Sequence, residues 1–187
     1  MKNWFALSYR IHPDSTIRLL GQTNLNQFSC SCLHQFGQLQ LTVKFPSKGV
    51  HHSHFRDSFL RIPIRQLDCG NPLINLNLQK SLNARQHPDI IIEFLEVMWN
   101  EPDEPWEYEG VVEVKACTRV SINGHSNNYW LEIKTKRNSP SEYWLNGTKT
   151  IRMTDFGVEP PSAMMGLIKV DDEIGILLNL KILLSNT

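Results

Sequence analysis

Three histidines, His51, His52 and His54, crowd a short stretch of the chain. Imidazole nitrogens are common zinc ligands, so such a cluster could hold a metal ion. A zinc site draws on a second group of ligands at matching spacing, and this cluster has no such partner in the sequence. We therefore interpret the three histidines as part of a solvated loop and predict no metal site.

Four cysteines could bind zinc or form a disulfide. Cys30 and Cys32 are close in sequence, but Cys69 and Cys117 are isolated, which argues against a four-thiolate zinc site. Cys30 and Cys32 share the apolar face of a strand, and Cys69 lies where another strand leads into a helix. In an exported protein the sequence predicts a bridge from Cys30 or Cys32 to Cys69, stabilising the fold by about 2–4 kcal/mol. Cys117 has the opposite phase to its apolar neighbours and should stay unpaired.

Carboxylates are the remaining candidates for chemistry. The acidic run 101–109 also contains Pro102, Pro105 and Trp106, and we interpret it as a solvated loop with Trp106 folding back. Asp155 adjoins an apolar loop, where capping backbone donors in the turn is its simplest role. The sequence has no Ser-His-Asp order, nucleophile elbow, phosphate loop or pair of carboxylates carried on strands. It therefore predicts neither an enzyme nor a cofactor.

Length, charge and hydropathy limit the remaining classes of function. The 187 residues fit a single domain spanning 1–187, and 41% apolar content supplies a substantial core. Lysine plus arginine equals aspartate plus glutamate at 19 each, which argues against nucleic acid as a partner. No apolar run approaches the ~18 residues of a membrane span. The first residues lack a signal-peptide core, so we expect a cytoplasmic protein unless a signal peptide precedes this sequence.

Apolar residues alternate with polar ones along most of the chain, which predicts strands with one buried face. The phase reverses near Gly37, so we predict a bulge or bend there. Asn123-Gly124 and the polar residues to Asn128 predict a hairpin turn. The alternating apolar positions are Ile17 and Leu19; Phe28, Cys30, Cys32 and Phe36; Leu39, Leu41, Val43 and Phe45; Leu60, Ile62 and Ile64; Ile90, Ile92 and Phe94; Val112, Val114, Ala116 and Val120; Leu131, Ile133 and Thr135; and every second residue from Ile174 to Leu184.

One segment, residues 72–86, has the spacing of an amphipathic helix. Asn71 is a good N-cap, Pro72 suits the first helical position, and Pro88 should end the helix by Gln86. The sequence thus predicts a mainly β protein of seven to nine antiparallel strands with one internal helix. A lone helix among so many strands most simply plugs or caps an open barrel end.

The loop from Phe156 to Leu167 is unusually apolar. Loops normally lie on the surface and are polar, so this loop should bury itself or cover an apolar space. We therefore predict a lid over a cavity. The long alternating strand that follows it should form the last strand of the sheet.

The order of short motifs resembles the YceI-like polyisoprenoid-binding family. The helix end followed by Pro88 and the strand 89–94 are similar to the family's helix, proline and strand. Thr154-Asp-Phe-Gly-Val158 resembles its D-F-G element. The other similar segments are Tyr9–Ser15, Gly21–Cys32, Val120–Gly124 and Gly166–Ile182. This resemblance implies a lipocalin-like antiparallel β-barrel of about eight strands, and a periplasmic or secreted protein linked to stress response if a signal peptide precedes it.

The resemblance also implies that a long apolar chain, an isoprenoid or a fatty chain, lies along the barrel axis. A barrel of this size can either hold one slender ligand or pack solid. Met and aromatic side chains near the predicted mouth suit such a ligand. We predict binding, storage or transport without catalysis. A filled barrel with an interaction role and a lipid-modifying enzyme are the alternatives, and the chain could form a homodimer. The candidate ligand-binding residues are Phe94, Trp130, Trp144, Phe156, Met164, Met165 and Leu167.

Overall fold

The computed structural model of the chain describes residues 4–47 and 49–185, without the side chains of Ala163 and Met164. Strands dominate it, as the alternation predicts. The strands are β1 (Phe5–Ile11), β2 (Thr16–Gln22), β3 (Gln27–Cys32), β4 (Gln38–Lys44), β5 (His52–Arg56), β6 (Phe59–Pro63), β7 (Leu67–Asp68), β8 (Asp89–Trp99), β9 (Val111–Ile122), β10 (His125–Ser139), β11 (Glu142–Arg152), β12 (Ser162–Ala163), β13 (Ile168–Lys169) and β14 (Glu173–Ser185). The helices are α1 (Pro72–Ser81) and three short 3₁₀ turns, η1 (Ile64–Gln66), η2 (Met153–Phe156) and η3 (Met164–Gly166).

The strands form a closed antiparallel barrel with eight positions around its wall. Three positions are each filled by short strands in line: β1 with β2, β3 with β4, and β5 with β6 and β7. The strands β8, β9, β10, β11 and β14 are each continuous. The barrel closes where β1 pairs with β14, for example Ile11 with Ile182. Both the predicted fold class and the predicted closure by the first and last strands are confirmed.

Breaks in the strands occur where the sequence pattern changes. Residues 33–37 interrupt the wall between β3 and β4, at the predicted change of phase near Gly37. The β9–β10 turn is the pair Asn123-Gly124, with φ of 51° and 77°. Two left-handed residues in succession give the tight hairpin turn whose twist matches the strands. The predicted turn, which reached Asn128, is therefore too long, because residues 125–128 already pair with β9.

The helix begins as predicted. The Asn71 side chain accepts hydrogen bonds from the backbone N–H groups of Leu73 and Ile74, and Pro72 occupies the first turn. An amide oxygen at this position satisfies donors that have no partner within the helix.

The helix ends at Ser81, five residues before the predicted Gln86. Asn83 adopts a left-handed conformation with φ of 52°. The N–H groups of Asn83 and Ala84 then bond back to the carbonyls of Lys80 and Gln79. This pair of bonds is the Schellman motif, which terminates a helix. The prediction relied on Pro88 and missed the earlier stop.

The two ends of the barrel differ. We call one the helix end; it carries α1, the turn at 23–26, the turn at 123–124 and the segment 153–172. We call the other the acidic end; it carries the loops 45–51 and 100–110. At the acidic end Trp106 folds back, as predicted, onto Trp99 and Phe45, with ring centroids 5.9 and 5.5 Å apart. Apolar side chains facing inward from the wall form one continuous core between the two ends.

Candidate functional site: an apolar cavity at the helix end

An apolar cavity of about 60 Å³ lies inside the barrel at the helix end. No ionisable side chain lines it, because its single cysteine, Cys30, is in a disulfide. A cavity whose lining is almost entirely apolar favours apolar guests over water. The lining residues are Leu19, Phe28, Cys30, Leu78, Ser81, Leu82, Ile90, Ile122, Ile151, Met153, Phe156, Val158, Pro161, Val170, Ile174 and Ile176.

One pair of residues on neighbouring strands limits the space inside. Gly21 of β2 is paired with Phe28 of β3. A Cβ atom added to Gly21 would lie 2.1 Å from the Phe28 ring, so the ring covers the position that a side chain would occupy. Phe28 therefore lies against the wall and fills part of the barrel interior.

The turn η2 and the residues just after it place two further side chains in the lining. These are Phe156 and Val158, and both are almost fully buried. Asp172 holds this turn by accepting hydrogen bonds from the Thr154 N–H at 2.9 Å and the Thr154 hydroxyl at 2.6 Å. The hydroxyl bond in particular lowers the pKa of Asp172 below its ordinary value. The Asp172 carboxylate thus ties the segment before β14 to the start of η2.

Beside the turn, the Tyr129 hydroxyl donates a hydrogen bond to the Asp155 carboxylate at 3.1 Å. Burial, reinforced by the hydrogen bond to Asp155 and by its charge, raises the pKa of Tyr129 to about 12. Asp155 thus receives a side-chain hydroxyl rather than the backbone donors that the sequence analysis expected. The pair connects β10 to η2 and is absent from the cavity lining.

Of the six candidate ligand-binding residues whose side chains the structure describes, Phe156 is the one that lines the cavity. Phe94 packs half-buried against the core without reaching the cavity. Trp130 and Trp144 lie on the outer face of the barrel, each 45% exposed. Residue type favours these two tryptophans, but the alternation along each strand determines which side chains face inward. Leu131 and Leu145, the next residues along, are the ones that pack against the core.

The apolar loop divides into two parts. Its first part contributes Phe156, Val158 and Pro161 to the cavity lining. Its second part turns outward, because Met165 adopts a left-handed conformation with φ of 57°. Met165 is fully exposed and Leu167 is 71% exposed, so neither faces the cavity. The side chain of Met164 lies outside the described residues.

Sequence reasoning missed several lining residues, among them Phe28, Leu78 and Val170. Phe28 and Leu78 stand at apolar positions of the correct phase, so the signal was present in the pattern. Their grouping around one space depends on contacts between distant elements, which periodicity cannot show.

A disulfide joins Cys30 to Cys69 across 39 residues of chain. This pairing is one of the two that the sequence left open. It links β3 to the segment that leads into α1. Cys32 and Cys117 carry free thiols.

The histidine cluster divides between two environments. His51 stacks on Trp99 and bonds the Asp103 carboxylate at 2.8 Å, whereas His52 and His54 lie side by side on β5. Within residues 4–47 and 49–185, no three His, Cys, Asp or Glu side chains are grouped so that they could hold a metal ion. In the same part of the chain, no helix has the length and apolarity needed to cross a bilayer.

No protein-family model matches this sequence, and no curated protein is significantly similar to it. Solved structures share its architecture. A polyisoprenoid-binding domain from Saccharophagus degradans, implicated in plant cell wall breakdown, has a TM-score of 0.68 at 9% identity, over 96% of this chain and 99% of that one. BcnA from Burkholderia cenocepacia has a TM-score of 0.63 at 14% identity, over 89% and 95%.

A YceI protein from Campylobacter jejuni has a TM-score of 0.50 at 14% identity, over 79% of this chain and 81% of that one. Identities this low establish a common fold rather than a common activity. The resemblance read from the sequence motifs is confirmed at this level: the chain has the fold of the YceI-like barrels.

Proposed function

We propose that this protein binds the apolar chain of a small molecule, an isoprenoid or a fatty chain, inside its barrel and stores or carries it without chemical change. The observation that carries the proposal is the apolar cavity at the helix end, whose lining holds no ionisable side chain. A lining of this kind offers favourable burial to methylene groups and no acid or base for catalysis. The structural neighbour from Saccharophagus degradans, described as a polyisoprenoid-binding domain, supports the same ligand class.

The volume of the cavity bears on how a ligand would enter. About 60 Å³ is well below the ~300–1,000 Å³ of ordinary ligand pockets. A long chain therefore needs the lining to move, and Phe28 is the side chain best placed to do so. It is only half-buried, and its ring lies over Gly21, which has no side chain to hold it in place.

The same small volume favours a second candidate, a filled barrel that serves as an interaction protein. In that case the cavity is a packing defect and Phe28 belongs to the core. The two candidates differ in what they predict for variants of the lining.

The proposal also includes an oxidising cellular compartment. Disulfides persist in oxidising compartments and are rare where thiols are kept reduced. The bridge from Cys30 to Cys69 therefore supports a periplasmic or secreted protein.

The first test uses displacement of cis-parinaric acid by geranylgeraniol. Leu78 lines the cavity from α1, so Leu78→Gln should weaken the binding of both compounds by about tenfold or more, because the lost methylene contacts are worth ~0.8 kcal/mol each. Leu33→Gln is the matched control, because Leu33 is exposed and absent from the lining. Thermal melts of both variants check that they fold.

A second variant keeps the test decisive if Leu78→Gln fails to fold. Phe28→Ala enlarges the cavity and should strengthen the binding of geranylgeraniol relative to wild type. A filled barrel predicts instead that Phe28→Ala is destabilised and binds neither compound. Mass spectrometry of native protein from its own host, followed by organic extraction, would then identify the natural ligand.

A further inference from the structure

An arginine faces the interior of the barrel at the acidic end. Along β10 Leu131 and Ile133 are buried in the core, and the alternation of the strand places Arg137 on the same inward face. The Nε atom of Arg137 is buried, and its Nη1 atom donates a hydrogen bond to the Glu107 carbonyl at 3.2 Å. Among the ion pairs of the described residues, none involves Arg137. This cation therefore faces the interior without a carboxylate to balance it, which is unusual for a charged side chain.

Two buried donors at this end have no hydrogen-bond partner. They are the Nε atom of Arg137 and the indole Nε1 atom of Trp99, a side chain on β8 that is 6% exposed. In the part of the chain that the structure describes, no other buried side-chain nitrogen or oxygen atom is unpaired. Buried polar atoms in folded proteins nearly always have a partner. Two unpaired donors at one end of the barrel therefore indicate a place for an acceptor.

The loop 100–110, which we call the strap, contacts both of these side chains. Its Trp106 packs on Trp99. Tyr143, the partner of Arg137 across β10 and β11, donates its hydroxyl to the Trp106 carbonyl at 3.1 Å. Arg137 itself bonds the carbonyl of the next strap residue, Glu107. Trp99 and Arg137 thus lie beneath adjacent residues of the strap.

The interior next to the strap is not tightly packed. Val43, Trp99 and Val112 are buried at the acidic end but lie outside the continuous core. Six apolar side chains in the same half of the barrel pack against the core while staying only partly buried. Protein interiors are normally close-packed, so this layer can take up part of an apolar chain. The six are Leu39, Leu41, Val97, Val114, Leu145 and Leu184.

The carboxylates of the acidic end lie on the solvent side of Arg137. All five in the strap belong to exposed residues, and Glu113 and Glu142 of the adjoining wall are each paired with a lysine. The strap carboxylates repel a small anion in water, although salt screens them. An anion therefore reaches Arg137 as the head group of an apolar chain, whose burial in the barrel favours binding. The strap carboxylates are those of Glu101, Asp103, Glu104, Glu107 and Glu109.

We propose that Arg137 binds the anionic head group of the ligand, a carboxylate or a phosphate, beneath the strap, while the apolar chain extends toward the helix end. A guanidinium presents several N–H donors in a planar fork that matches either anion, and the Trp99 N–H is a further donor under the same strap. Hydrogen bonds between charged groups are stronger than those between neutral groups. The inference rests on the proposed function, because it assigns the head group of the molecule whose chain the barrel would hold.

The test compares two fluorescent ligands with the same chain, cis-parinaric acid and its alcohol, titrated directly at neutral pH. Wild type should bind the acid about tenfold or more tightly than the alcohol, because only the acid forms charge-assisted hydrogen bonds with Arg137. Arg137→Gln should remove this preference by weakening the acid alone. Lys136→Gln makes the same change of charge at the next residue, which is exposed on the outer face, and should keep the preference.

Arg137 also anchors the strap, so two further variants separate that role from binding. Tyr143→Phe removes the neighbouring anchor without a change of charge. Loosening of the strap in this variant should affect acid and alcohol alike and leave the ratio of their affinities unchanged. Arg137→Lys keeps a positive charge without the planar fork and should retain part of the preference for the acid. Thermal melts check that each variant folds, and if Arg137→Gln does not, wild type and Arg137→Lys decide the test.

Displacement of the fluorescent alcohol by geranylgeranyl phosphate and by geranylgeraniol distinguishes the two anions. Stronger displacement by the phosphate, lost in Arg137→Gln, identifies a phosphate site, whereas a preference seen only with cis-parinaric acid identifies a carboxylate site. Equal affinity of wild type for acid, phosphate and alcohol overturns the head-group site and leaves the proposed function standing. Equal weakening of acid and alcohol in Arg137→Gln limits Arg137 to anchoring the strap and also overturns the site. Binding of none of these compounds rejects the proposed function itself.

Discussion

At the scale of single residues, the space inside the barrel depends on the missing side chain of Gly21. Gly21 has no side chain, and Phe28 on the next strand covers that position with its ring. If residue 21 carried even a methyl group, the ring would have to leave its place in the interior. Glycine on one strand and a large aromatic side chain on its neighbour thus set the volume available to a ligand.

Tyr129 leads to a prediction about pH. Its pKa is about 12 in the folded protein, against 10.0 for an ordinary tyrosine. Below pH 10 both the folded and the unfolded chain keep this proton. Between pH 10 and 12 the unfolded chain loses it while the folded chain keeps it, so the free energy of unfolding must fall as pH rises. Tyr129→Phe should reduce that fall, as measured by urea unfolding at several alkaline pH values.

Tyr108→Phe serves as the control for this experiment, because it removes a half-exposed hydroxyl from the acidic end. It should leave the alkaline loss of stability as it is in wild type. If Tyr129→Phe and wild type lose stability in parallel from pH 10 to 12, burial and the hydrogen bond to Asp155 do not raise the pKa of Tyr129 in the folded protein.

At the scale of elements, α1 is held in place mainly through its flanks. No residue of the helix is fully buried. The Cys30–Cys69 bridge fixes the segment before it, and Leu82 and Ala84, both buried, anchor the segment after it. A helix tied at both flanks can keep its position over the cavity while its own side chains remain loosely packed.

Removing the bridge should therefore destabilise the fold. Cys30→Ala with Cys69→Ala should lower the free energy of unfolding by about 2–4 kcal/mol, because the unfolded chain gains the freedom of a long open loop. Urea unfolding under non-reducing conditions measures the difference. Cys32→Ala, which removes a neighbouring free thiol, should change stability far less. Equal midpoints for the double variant and wild type would show that the bridge does not form.

Element types were easier to predict from the sequence than element ends. Alternation predicted the wall of the barrel, because one buried face requires an apolar residue at every second position. The spacing of Leu82 and the position of Pro88 predict a longer helix, whereas Asn83, in a left-handed conformation, already ends it. A left-handed asparagine is not distinguishable by residue type from any other asparagine.

The candidate site was harder to predict, for a physical reason. The apolar loop correctly indicates Phe156, whereas residue type alone favours Trp130 and Trp144, which strand phase directs outward. The alternation along β3 predicts only that Phe28 faces inward. Its importance depends on contact with Gly21, which belongs to another strand, and the volume left between such contacts is a property of tertiary packing.

At the scale of the whole molecule, the two ends and the wall should differ in local stability. The wall consists of long paired strands, and β9 pairs with β10 along nearly its full length. The helix end is made of short turns, one helix without buried residues and a loop with an exposed tip. A cavity of about 60 Å³ can admit a chain only if part of this end opens while the wall stays intact.

Native-state hydrogen exchange in increasing urea tests this expectation. Amides of β9 and β10 should exchange only through global unfolding, so their exchange free energies should fall steeply with urea. Amides in 82–87 and 159–170 should exchange by local opening, with lower exchange free energies. These free energies should depend little on urea, because a local opening exposes little surface. One common urea dependence for all amides would mean that the cavity opens only when the whole barrel unfolds. That result would exclude ligand entry through the helix end of the folded protein.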